Sequence, residues 1–132
     1  MIYKEEDYQK FLDKKELIHT MRKSVNQNFE GFEAYFQPIV DIKSQKLVSA
    51  ETLLRFRTKE RMVSPAEFIP LLEESGLIIP VGRFVLHQAL KACGQIQKYI
   101  PDFRISVNVS YIQVLKSDML TEILSAISIY KI

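Results

Sequence analysis

The tightest constraint on this chain is a link of four polar residues between two apolar segments. Ala34-Tyr-Phe-Gln-Pro-Ile-Val-Asp-Ile42 reads as one strand, Lys43-Ser-Gln-Lys46 as the link, and Leu47-Val-Ser-Ala-Glu-Thr-Leu-Leu-Arg-Phe56 as the next strand. A parallel crossover needs about a dozen residues or more, so the two strands must form an antiparallel hairpin. The start of the first strand then lies beside the end of the second, which brings Gln37 within reach of the face that carries Arg55. Pro38 removes one ladder donor and suits an irregular or edge position.

The second strand carries the unusual chemistry. With a period of two, Val48, Ala50, Leu54 and Phe56 share one face, while Glu51, Leu53 and Arg55 share the other. A charge in so apolar a segment is costly unless it is paired, hydrogen-bonded or bound to a metal. Two readings stay open on the residues alone: an internal salt bridge between Glu51 and Arg55, or a face that receives a ligand.

The flanking segments supply helices. Residues 4–29 place Phe11, Ile18, Met21, Val25 and Phe29 at helical spacing among Lys, Glu and Asp, which predicts one amphipathic helix ended by Gly31. Residues 1–30 form this helix or linker, and 31–132 the main unit. A polar turn is expected over Arg57–Val63. Ser64, Pro65 and Glu67 then predict a helix start with a capping box, and Gly76 its stop. A second helix is expected from Pro80, burying Val81, Val85, Ala89, Cys93 and Ile96. His19 and His87 read as surface or packing residues.

Phe103–Ser110 predicts a third strand, with Ile105, Val107 and Val109 on one face and Ser106, Asn108 and Ser110 on the other. A wholly polar face on a helix-covered strand must point at something polar. Ser110 and Gln113 repeat the capping-box spacing, and Ser117-Asp118 is expected to cap a last helix bearing Leu120, Ile123, Leu124 and Ile127. After the hairpin the order follows the βαβ rhythm, and a further strand is expected where the chain stops.

Charge and cysteine content narrow the function. A net charge of +2 over 132 residues is too small to predict nucleic-acid binding. No apolar run is long enough for a membrane span, and the N-terminus lacks the pattern of a secretory leader. The single cysteine, Cys93, allows no internal disulfide and reads as a small core residue. The expected compartment is the cytoplasm.

Five blocks, in order, resemble the EAL domain family of bacterial cyclic di-GMP phosphodiesterases and their degenerate relatives. They are Tyr35-Phe-Gln-Pro-Ile39, Ala50-Glu-Thr-Leu-Leu-Arg-Phe56, Ser64-Pro-Ala-Glu-Phe-Ile-Pro-Leu71, Glu73-Glu-Ser-Gly-Leu-Ile78 and Val107-Asn-Val-Ser110. The resemblance implies an α/β fold, part of a TIM-like (β/α) barrel whose first strand runs antiparallel, with about three strands and flanking helices. It implies Mg²⁺ or Mn²⁺ bound by Glu51 and Asn108, and cyclic di-GMP contacted by Gln37, Leu53 and Arg55. Thr52 stands where the family signature has alanine. The family's later carboxylates and catalytic lysine have no counterpart here, so the resemblance implies a chain inactive by itself. An alternative is a degenerate module acting through protein–protein contacts. In either case an uncovered sheet edge predicts self-association.

Overall fold

The computed structural model describes residues 4–132; the expectation about a leader also involves residues 1–3, which lie outside that range. Helix α1 spans Glu5–Asn26, with Glu5, Glu6 and Asp7 in its first turn and Lys23 in its last, as its dipole favours. It is shorter than the predicted 4–29. After Asn26 the chain turns through Asn28 and Phe29, both left-handed at φ 58° and 62°. Gly31 (φ +95°) therefore does not stop the helix but admits β1, where a Cβ would lie 2.5 Å from the Arg57 carbonyl oxygen. Leu17 and Met21 are buried, and Ile18, Val25 and Phe29 pack against the same core, but Phe11 is exposed.

Strands β1 (Phe32–Val40) and β2 (Leu47–Arg57) form the expected hairpin, in register from Phe32 opposite Phe56 to Val40 opposite Leu47, with an irregularity between Ile39 and Val40. The expected polar turn contains a short strand, β3 (Met62–Val63), paired with Phe56 and Arg57. Thr58 folds this turn. Its N–H donates to the Arg61 carbonyl at 2.9 Å, and its Oγ1 accepts from the N–H groups of Glu60 and Arg61. That leaves Val63 pointing into the core, fully buried.

Helices α2 (Pro65–Ser75) and α3 (Ile78–Gln97) cover one face of the sheet. Pro65 opens α2 and left-handed Gly76 closes it, as predicted, but the capping box does not form. The Ser64 side chain makes no cap bond, and the box's other half, the Glu67 carboxylate, is drawn away by Arg61, whose two terminal nitrogens donate to it at 2.8 and 3.0 Å. A charge-assisted bidentate pair outcompetes a single backbone N–H. On α3, Val81, Val85, Ala89 and Cys93 are buried and Ile96 is packed, in line with the predicted stripe. Phe32, Phe56 and Phe68 fill the centre, with ring centroids 4.3, 6.0 and 6.3 Å apart.

Strand β4 (Arg104–Val107) runs parallel to β2, from Arg104 beside Ser49 to Val107 beside Thr52. It is shorter than predicted, because Ser110 leaves the strand line to cap α4 (Tyr111–Lys116). The capping box with Gln113 is present, and Asp118 caps α5 (Met119–Tyr130) by accepting from the Thr121 N–H and hydroxyl. On α5, Ile123, Ala126, Ile127 and Tyr130 pack on Leu86 and Leu90 of α3. Of the four apolar residues expected on this helix, Leu120 and Leu124 are exposed. The contact line is drawn instead by a close approach at Gly94, where a Cβ would lie 2.5 Å from the Tyr130 carbonyl oxygen. His87 packs edge-on against Tyr130, its Nδ1 2.9 Å from the Tyr130 hydroxyl, and His19 is exposed.

Strand β2 is thus central, with β1 along one edge and β4 and β3 along the other. The sheet is open among the described residues and matches part of a TIM-like barrel with an antiparallel first strand. No helix among the described residues is long and apolar enough to cross a membrane.

Candidate functional site

Alternation sorts the hairpin into two faces. Phe32, Ala34, Phe36 and Pro38 stand opposite Phe56, Leu54, Thr52 and Ala50, and this side turns toward the helices. The other side pairs Glu33 with Arg55, Tyr35 with Leu53, Gln37 with Glu51 and Ile39 with Ser49. Gln37, Glu51, Leu53 and Arg55 therefore share one face, which no helix covers among the described residues. The register differs in detail from expectation: Gln37 faces Glu51 directly, and Arg55 is paired with Glu33.

The β2–β4 register extends this face. Glu51 lies beside Ser106, and Asn108 follows two residues later, exposed, just past the end of β4. Val107, beside Thr52, packs toward the core, so the strand's alternation sets Ser106 on the Glu51 side, and Asn108 follows where the regular strand has ended.

The internal salt bridge between Glu51 and Arg55 is not formed. The Arg55 guanidinium donates from Nη1 to its neighbour's carbonyl, Leu54 O, at 2.9 Å, and its central carbon lies 6.0 Å from the centre of the Tyr35 ring. The Glu51 carboxylate has no hydrogen-bond or ion-pair partner among the described residues. Both side chains are only half-buried, so water bears part of the cost of leaving them unpaired. Sequence reasoning missed Tyr35 on this face, although its alternation with Gln37 would have found it.

Thr52 points the other way, into the helix-covered side. It is 2% exposed, and its Oγ1 has no hydrogen-bond partner.

A carboxylate and an amide oxygen are the hard donors that Mg²⁺ and Mn²⁺ take. Among the described residues no cluster of three or more His, Cys, Asp or Glu is placed to hold a metal. Glu51 and Asn108 are donors of that chemical kind, and two of them are fewer than a cation's full shell needs. The hairpin face as a whole combines a guanidinium, a carboxylate, an amide, and an apolar and an aromatic side chain.

Residues 20–132 match the sequence profile of the EAL domain. An uncharacterized protein of Synechocystis sp. is 35% identical over 127 residues, covering 92% of this chain and 18% of the relative. A cyclic di-GMP phosphodiesterase of Pseudomonas aeruginosa is 34% identical over 104 residues, covering 78% of this chain and 18% of that protein. An EAL enzyme solved with cAMP and cyclic di-GMP bound superposes with a TM-score of 0.81 at 30% identity, over 93% of this chain and 35% of its own. The chain thus spans less than a fifth of the two relatives and about a third of the solved enzyme.

Proposed function

Because this chain belongs to the EAL domain family and is homologous to cyclic di-GMP phosphodiesterases, we propose that its open sheet face is one wall of a cyclic di-GMP site. In this reading Glu51 and Asn108 are donors to Mg²⁺ or Mn²⁺, Arg55 holds a phosphate, Gln37 contacts the ligand and Leu53 lines the pocket. The observation that carries the reading is the register: Gln37 opposite Glu51, on the face that also bears Leu53 and Arg55. Arg55 offers a planar fork of donors matched to two phosphate oxygens. Leu53 and Tyr35, opposite each other, give the dinucleotide an apolar surface and exclude water from it. A divalent cation, when bound, neutralises phosphate charge and lowers the pKa of a coordinated water. The remaining donors and the base of the family's centre have no counterpart here, so in this reading the 132-residue chain does not cleave the ligand by itself.

Titrating the ¹⁵N-labelled chain with Mn²⁺ and with cyclic di-GMP tests this. Line broadening by Mn²⁺ should centre on Glu51 and Asn108 and disappear in Glu51→Gln. Cyclic di-GMP should shift Gln37, Leu53 and Arg55. Effects scattered elsewhere, or none at these residues, would overturn the assignment. With both ligands present no linear dinucleotide should form, and turnover above a metal-only blank would refute the inactive part of the reading.

A second role, self-association, is favoured by one observation. The outer edge of β1 has no partner strand among the described residues, and Tyr35, Phe36, Ile39 and Val40 along it are exposed. The occupant in this reading is a second copy of the chain pairing along β1.

A further inference from the structure

Glu73 is poorly placed for its own helix. It lies in the last turn of α2, where the helix dipole disfavours a negative charge, and it is half-buried. Unlike its neighbour Glu74, which is exposed in the same turn, Glu73 makes a contact outside its helix. That contact is the Ser110 hydroxyl, which donates to Glu73 Oε2 at 2.9 Å from 37 residues away in sequence.

Ser110 is the hub of a wider brace. Its Oγ also accepts from the Ile112 N–H at 3.3 Å, and its own N–H donates to Gln113 Oε1 at 2.9 Å. Gln113 is 3% exposed and sits against Gly82 of α3, where a Cβ would lie only 1.9 Å from Gln113 Nε2. Two helices thus meet at Ser110, α2 through Glu73 and α4 through Gln113, and Gln113 in turn lies against the bare Gly82 of α3. The stretch they hold, 108–110, lies outside any regular element. It has no ladder to fix it, and Asn108 stands at its start.

We propose that Glu73 is a positioning residue: by anchoring the Ser110 hydroxyl it clamps 108–110 and fixes where the Asn108 amide stands past the end of β4, two residues beyond Ser106, the neighbour of Glu51. The proposal rests on the reading of Asn108 as a ligand-facing donor. It extends that reading to a carboxylate that touches no ligand and lies on a different element. Ser110 and Gln113 transmit the restraint, and Gly82 makes room for it.

The test is ¹⁵N relaxation and amide hydrogen exchange on the labelled 132-residue chain, in wild type, Glu73→Ala, Glu73→Gln and Ser110→Ala. In Glu73→Ala, the amides of 108–110 should lose order and exchange about five- to tenfold faster, the factor that one lost hydrogen bond implies. Amides of α2 should be unchanged or better protected, since an unfavourable charge has gone. Glu73→Gln keeps an acceptor and should restore wild-type order, which a purely helical role would not require. If 108–110 is as ordered in Glu73→Ala as in wild type, or if α2 loosens instead, the proposal is overturned. Adding Mn²⁺ separates the two layers. Broadening at Asn108 in wild type that weakens in Glu73→Ala and returns in Glu73→Gln supports both. Broadening that is equal in all variants overturns the positioning role alone, and no broadening at Asn108 in wild type overturns the underlying reading.

Discussion

Gln37 and Glu51 stand directly opposite each other across the β1–β2 ladder, on the face that no helix covers among the described residues. An amide facing a carboxylate is a neutral arrangement; two carboxylates there would repel. Gln37→Glu should therefore destabilise the chain by about 0.5 kcal/mol at neutral pH, the size of a like-charge cross-strand pair. If this face accepts a divalent cation, Mn²⁺ should reverse the loss and raise the Tm of Gln37→Glu more than that of wild type. Thermal denaturation with and without Mn²⁺ reads this, and an equal response in the two proteins would argue against a cation at Glu51.

Thr52 brings a hydroxyl to a buried position where no acceptor waits. Thr52→Val keeps the branched shape and removes the unsatisfied group. It should stabilise the fold by about 1 kcal/mol. Thr52→Ala should come out near neutral, since the lost methyl group offsets the lost hydroxyl. Urea denaturation distinguishes these, and a destabilised Thr52→Val would mean that the hydroxyl has a partner in solution.

Asp118 caps α5, and its pKa is lowered first by the hydrogen bond from the Thr121 side chain and then by that from the Thr121 backbone N–H. A carboxyl with a folded pKa below its unfolded one contributes stability above the unfolded value and loses it as pH falls through the folded value. The stability gap between wild type and Asp118→Ala should thus be fully present at pH 7. It should start to close near pH 4, the ordinary aspartate range, and continue to shrink below it. A gap that is constant down to acid pH would show that the cap works without its charge.

The parts of the fold legible in the sequence were those set by short-range geometry. A four-residue link can only close a hairpin, and a period of two puts Glu51, Leu53 and Arg55 together whatever surrounds them. The Ser110–Gln113 box formed because the Ser110 hydroxyl can donate to Glu73 while its oxygen still accepts the cap bond, and the Asp118 cap formed from neighbouring residues alone. The Ser64–Glu67 box failed because Arg61, folded back by the Thr58 turn, offered Glu67 a stronger partner. The pairing of Gln37 with Glu51 depended on register, which the turn and the irregularity at Ile39/Val40 decide. The Glu51–Arg55 salt bridge was one of two readings, and the choice lay with Tyr35 and the Leu54 carbonyl, which position the guanidinium elsewhere. Leu120 and Leu124 carried a valid helical stripe, but α5 meets α3 along the line fixed by the contact at Gly94.

The free edge of β1 makes the last prediction. A strand with unpaired backbone groups and exposed apolar side chains on both faces is a template for another strand. Here the exposed residues are Tyr35 and Ile39 on the open face, Phe36 on the helix side, and Val40 at the end of the strand. Light scattering should find dimers or larger assemblies of the 132-residue chain that grow with concentration. Ile39→Lys puts a charge on that edge, the device natural sheets use against edge-to-edge pairing, and should shift the chain toward monomer with little loss of stability, because Ile39 is already 46% exposed. Leu120→Lys, on the exposed side of α5, is the control, since it removes apolar surface without touching the β1 edge. A shift with Ile39→Lys alone assigns association to the strand edge. An equal shift with Leu120→Lys assigns it to the helical surface, and a monomer at high concentration in wild type removes the self-association reading.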